Sequence, residues 1–176
     1  LFFQLKRSKN SRGVIMKVGI IGLGTMVEGM SHRMMKAGLE TWVYSRNYEK
    51  AQEAFEKNYI SGCTPTLESL VQVVKRKEFI YGEKSGETVY VEQPGIFQLV
   101  LRAELIDDTI DELLPLLSEG DIIIDYSDSD IDKCQEIEHY CSKLGISYIL
   151  SGTYGASYAI TTCSKIFESL SPGKIS

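Results

Sequence analysis

The chain of 176 residues has little cysteine, histidine or tryptophan: four, two and one residues respectively. Cys63, Cys134, Cys141 and Cys163 are scattered, with no CxxC pair and no histidine at zinc-ligand spacing. That excludes a zinc ribbon and argues against a dense disulfide scaffold. The thiols read as reduced, and the expected compartment is the cytoplasm. No apolar run approaches the roughly 20 residues that a membrane-crossing helix needs, so no membrane partner is expected. Basic charge is also short. The net charge is −5, and Lys6, Arg7, Lys9 and Arg12 stand without an acid among residues 1–16, which leaves −9 on the rest. Nucleic-acid binding needs cations to displace counterions from phosphates, and none is expected here. Residues 1–15 lack the apolar core of a signal peptide and read as a leader or tag ahead of Met16, with one domain over 16–176.

What is present alternates. Short β-branched runs such as KVGII and DIIID take turns with stretches whose apolar residues fall at helical spacing. That alternation predicts βαβ units on a parallel sheet. The spacing places strands at 17–21, 41–45, 59–61, 96–101, 121–125 and 146–150, and helices at 25–37, 48–57, 66–76, 106–117 and 130–144. Leu67, Leu70, Val71 and Val74 form one inward stripe. Ile106, Ile110, Leu113, Leu114 and Leu117 form another, and Ile131, Cys134, Ile137, Cys141 and Leu144 a third. Between Phe79 and Gln93 two alternating runs flank Lys84-Ser85-Gly86, which predicts a β-hairpin inserted on the sheet edge.

The motif that carries chemistry is Gly22-Leu23-Gly24-Thr25-Met26, directly after a strand and opening a helix. The first glycine permits the tight turn and the second lets backbone approach a pyrophosphate. The helix N-terminus behind them offers free N–H groups to an anion. Val27 stands where a third, small residue ordinarily lets helix and strand pack closely, so the motif is incomplete. At the end of the second strand an acid would favour NAD. Ser45-Arg46-Asn47 instead offers a guanidinium fork and two hydrogen-bond donors, suited to the 2′-phosphate of NADP. The fold expected is α/β, Rossmann-type and doubly wound, with a mostly parallel sheet and helices on both faces. The expected ligand is a dinucleotide, NADP before NAD. His32 and His139 lack a nucleophile partner and read as surface residues.

KVGIIGLGTM at 17–26, VYSRNYEKAQ at 43–52 and IDELLPLLSEGDIIID at 110–125 resemble the 6-phosphogluconate dehydrogenase family, within the β-hydroxyacid dehydrogenases. The resemblance runs from Met16 to about Leu150, leaving out 79–93. It implies NADP binding by this domain and, in a complete enzyme of the pentose phosphate pathway, oxidative decarboxylation of 6-phosphogluconate. The resemblance also implies a helical second domain bearing the catalytic lysine, the acid and much of the dimer interface, expected to lie outside this chain. A second copy or a separate helical chain is therefore an expected partner. Neither Lys165 nor Lys174 has the His-Asn context that the resemblance requires of the lysine.

Two substrate turns depart from the family. Its Gly-Gly-Asn-Ser becomes Tyr126-Ser127-Asp128-Ser129, which sets a carboxylate where a phosphorylated sugar acid would approach. Its Ser-Gly-Gly becomes Tyr154-Gly155-Ala156. Asp128, Ser129, Tyr154 and Gly155 are thus degenerate substrate positions, with no catalytic residue and no metal ligand assigned. Two functions follow as expectations. One is an NADP-binding domain without turnover of its own; the other is a regulatory or interaction protein that keeps the fold without the cofactor.

Overall fold

The computed structural model describes residues 16–81 and 88–151. Six strands form one sheet: β1 (Lys17–Ile21), β2 (Glu40–Tyr44), β3 (Gly62–Thr64), β6 (Ile96–Leu99), β7 (Ile122–Asp125) and β8 (Ser147–Leu150). Their order is β3-β2-β1-β6-β7-β8, and every neighbouring pair is parallel. The order runs outward from β1 in both directions, which is the doubly wound dinucleotide-binding topology. Ile21 pairs with Tyr44 and Leu99, Leu99 with Asp125, and Asp125 with Leu150. The strand ends therefore line up, and the loops after β1, β2, β6 and β7 leave along one edge.

Adjacent strand residues point to opposite faces, and each face carries its own core. Val18, Ile20, Val43, Ile122 and Ile124 pack with Val27, Met30 and Met34 of α1 (Thr25–Lys36) and Ala54 of α2 (Tyr48–Glu56). Ile21, Phe97, Leu99 and Ile123 face the other way, onto α3 (Leu67–Val74), α4 (Ile106–Leu113) and α5 (Ile131–Lys143). The α3 stripe is buried at all four expected positions. A reciprocal cap begins that helix: Ser69 N–H donates to Thr66 Oγ1 at 3.1 Å, and Thr66 N–H donates to Ser69 Oγ at 3.3 Å.

Four expectations need correction. The third strand lies at Gly62–Thr64 rather than 59–61, because Asn58, at φ 56°, first turns the chain out of α2. The helix expected over 106–117 becomes 3-10 at Leu114–Leu116, since Pro115 has no N–H to continue the α ladder. On α5 only Cys134, Ile137 and Cys141 are buried, whereas Ile131 and Leu144 are exposed. Thirteen residues of helix reach about 20 Å, but the four-residue strands beneath it reach only about 13 Å, so the helix ends overhang.

The fourth correction concerns the hairpin. β4 (Arg76–Tyr81) and β5 (Thr88–Gln93) do pair antiparallel, Phe79 opposite Tyr90, but as a separate two-stranded sheet. The hairpin leads into β6, an interior strand flanked by β1 and β7, so no free edge exists there for it to join. The Lys84-Ser85-Gly86 turn lies outside the described residues. Both feet of this ribbon meet one carboxylate. Asp121 accepts Gly95 N–H at 2.7 Å and Ser118 N–H at 2.8 Å, and pairs with Lys75 Nζ at 3.0 Å. The Lys75 and Asp121 side chains are only 9% and 1% exposed.

Candidate functional site

The first turn shows why glycine stands at position 22. Its φ is +109°, and a Cβ there would sit 2.2 Å from the Val100 carbonyl oxygen. Gly24 differs: its backbone is extended, and a Cβ would meet nothing within 4 Å. The space in front of it is open. Asn47, Thr66 and Asp130 cap α2, α3 and α5 with side-chain oxygens, whereas α1 begins at Gly24 with no side-chain cap. α4, entered from a 3-10 turn at Leu105, also lacks a side-chain cap, but an anion set against the Gly22–Gly24 turn would take the position that a capping oxygen holds in α2, α3 and α5.

Val27 stands at the third position of the motif. The side chain is wholly buried among the residues of α1, β1 and β2, so a bulkier residue at the third position is absorbed as core. Gly22 and Gly24 keep their places without a small residue there.

A cleft of about 750 Å³ opens along the aligned strand ends. It brings together Gly22, Leu23, Gly24 and Met26 from β1–α1, Ser45, Arg46 and Asn47 from the end of β2, and Asp128 from the loop after β7. Of the other expected site residues, Thr25 is exposed beside the cleft without lining it. Ser129 does not line it and is half-buried, Oγ to Oγ with Ser127 at 2.7 Å. Tyr154 and Gly155 are outside the described residues, as are Lys165 and Lys174. His32 and His139 are exposed, away from the cleft lining.

Sequence reasoning missed Lys50, Arg102, Thr109 and the lining role of Tyr126. Lys50 lies in the first turn of α2, whose cap Asn47 directly follows Arg46, and the start of that helix carries it to the same end of the cleft. Arg102 and Thr109 carry no local signal, and only the placing of β6 beside β1 brings them in. Asn47 has two duties. Its Oδ1 accepts Lys50 N–H at 3.0 Å as the α2 cap, and its amide NH₂ is the group that can donate. Arg102 pairs with Glu104 at 3.0 Å in solvent.

Beneath the 126–129 turn lies a buried polar cluster. Asp125 is fully buried; Tyr148 Oη donates to its Oδ2, and Ser127 N–H donates to its Oδ1 at 2.7 Å. Burial, then the hydrogen bond to Asp125, pushes the Tyr148 phenol far above its ordinary value of 10.0. The native state therefore keeps a proton that the unfolded chain loses, and this part of the stability falls as pH rises above about 10. Tyr148→Phe should cost about 1–3 kcal/mol near neutral pH by leaving a buried carboxylate oxygen without its donor. In urea titrations at about pH 8 and about pH 11 the variant should also lose less stability on the alkaline side than the native chain. Burial likewise raises the neighbouring Cys134 thiol, and that of Cys141 to about 11. Both are poorly suited to nucleophilic chemistry.

Doubly wound topology and a glycine turn at the switch point define a Rossmann-type α/β domain. The family model described as the NAD binding domain of 6-phosphogluconate dehydrogenase matches residues 17–167, and the chain belongs to that family. The decarboxylating 6-phosphogluconate dehydrogenase of Drosophila simulans is 30% identical over 142 residues, which is 78% of this chain and 26% of that protein. This chain thus spans about a quarter of the length of such relatives. Among solved structures, Plasmodium falciparum 6-phosphogluconate dehydrogenase matches with a TM-score of 0.66 and 22% identity, over 87% of this chain and 33% of that one. Mycobacterium tuberculosis 3-hydroxyisobutyrate dehydrogenase matches with a TM-score of 0.60 and 14% identity, over 82% of this chain and 43% of that one. Those two show a shared fold. Among the described residues no helix is long and apolar enough to cross a membrane.

Proposed function

We propose that this chain is an NADP-binding domain of the 6-phosphogluconate dehydrogenase type, which supplies the cofactor half of an oxidoreductase and does not turn over substrate by itself. The observation that carries the reading is the juxtaposition, in one cleft, of the Gly22–Gly24 turn with Arg46 and Lys50. The pyrophosphate fits the turn, where open space meets uncapped N–H groups. Arg46 and Lys50 offer two cations to a 2′-phosphate, and Ser45 and Asn47 offer hydroxyl and amide donors beside them. NAD carries no such phosphate and leaves both cations without a partner from the ligand. The hydride chemistry belongs to the nicotinamide; this chain's residues bind and orient the dinucleotide. A base, an acid and the sugar-acid site are assigned to a helical second domain or a partner chain.

The test is calorimetric titration with NADPH and NADH. Arg46→Ala should weaken NADPH binding by about 10- to 100-fold, the range of one or two charge-assisted hydrogen bonds, and change NADH binding little. Equal losses for the two nucleotides would remove Arg46 from the 2′-phosphate. A second reading, a regulatory or interaction protein that retains the fold alone, is favoured by Tyr126 and Asp128, which alter the β7 end of the cleft. Native chain that binds neither nucleotide would establish it over the first.

A further inference from the structure

Charge along the cleft is polarised. Arg46 and Lys50 stand at the β2 end, the neutral Gly22–Gly24 turn is central, and Asp128 stands at the β7 end, the one carboxylate among the described residues that line it. Arg102, between them at the end of β6, is offset by Glu104. If the pyrophosphate lies at the β1 turn and the adenosine ribose over β2, the rest of the dinucleotide runs the other way, over β6 toward β7. Those strands are the next two along, each about 4.8 Å further on. The ring at that end is a cation when oxidised and neutral when reduced.

Resting on the dinucleotide reading above, the geometry points to Asp128 as the residue that sets the redox preference of the cleft, favouring the oxidised pyridinium ring over the neutral dihydropyridine. A carboxylate attracts the first and gains nothing from the second. The two nucleotides carry identical phosphates, so the ratio of their affinities cancels every contact with Arg46, Lys50 and the glycine turn and isolates the ring charge. Asp128 is exposed, which limits the effect to the range between bulk water and a protein surface. For charges roughly 5–6 Å apart that amounts to about 10-fold. The backbone that leads into Asp128 is held from below by the bonds of Ser127 and Tyr148 to Asp125.

The experiment titrates the whole chain and its Asp128→Asn and Asp128→Glu variants with NADP⁺, NADPH and 2′,5′-ADP by calorimetry, with circular dichroism to confirm the fold. The expected result is that Asp128→Asn shifts the affinity ratio about 10-fold toward NADPH and leaves 2′,5′-ADP unchanged, while Asp128→Glu keeps the native ratio. A ratio that moves by less than about 2-fold, or an equal loss for all three ligands, overturns the inference and leaves dinucleotide binding standing. Failure of the native chain to bind any of the three overturns both.

Discussion

Gly22→Ala is expected to cost about 3 kcal/mol or more of stability and to abolish dinucleotide binding together. A side chain at φ +109° is strained by roughly 1–3 kcal/mol before any contact is counted. The new Cβ would also lie 2.2 Å from the Val100 carbonyl oxygen, an atom of rigid backbone at the end of the neighbouring strand. The chain must therefore open the β1–α1 turn, which loses the bond from Gly22 N–H to the Tyr44 carbonyl and re-aims the start of α1. Gly24→Ala is the contrasting half of the experiment. With nothing within 4 Å of its Cβ, it should keep near-native stability while placing a methyl group where a pyrophosphate would lie. Urea titration and NADPH calorimetry on both variants separate the two roles, and native stability in Gly22→Ala would refute this account of the turn.

Asp121→Ala should be comparably damaging to stability, at about 3–5 kcal/mol, although it lies at the opposite end of the sheet from the cleft. The substitution leaves the Lys75 ammonium, 9% exposed, with the neutral Ser118 hydroxyl at 2.7 Å and no counter-charge, and takes the acceptor from the Gly95 and Ser118 N–H groups. Adding Lys75→Met should recover part of the loss by removing the stranded charge, an outcome that simple loss of the two backbone bonds would not produce. Chemical denaturation of the single and double variants checks this, and a loss below about 1 kcal/mol would show that water replaces the carboxylate.

The sheet and its helices were legible because their signals are local and periodic: Leu67, Leu70, Val71 and Val74 announce one buried face whatever lies opposite. Half of the cleft was legible for the same reason, since the glycine turn and Ser45–Asn47 each sit at the end of a recognisable strand. The other half comes from β6, α4 and β7, and reaches the first half only through a strand order that reverses at β1. No spacing in the chain announces that Arg102 and Gly22 share a wall. The burial of Val27 was not legible, because a motif position shows a residue's size and not the volume available to it. The hairpin was read correctly as a pair and wrongly as a sheet edge, since pairing is set by its own alternation and attachment by the neighbours of β6.

The Asp121 clamp makes residues 76–94 a graft in the grammatical sense of a parenthesis. The chain leaves the core at Lys75 and re-enters it at Gly95, and a single side chain holds both points. Both attachment points lie before the starts of β6 and β7, at the end of the sheet opposite the cleft. Any segment whose two ends meet that bracket leaves the strand ends around the cleft in place.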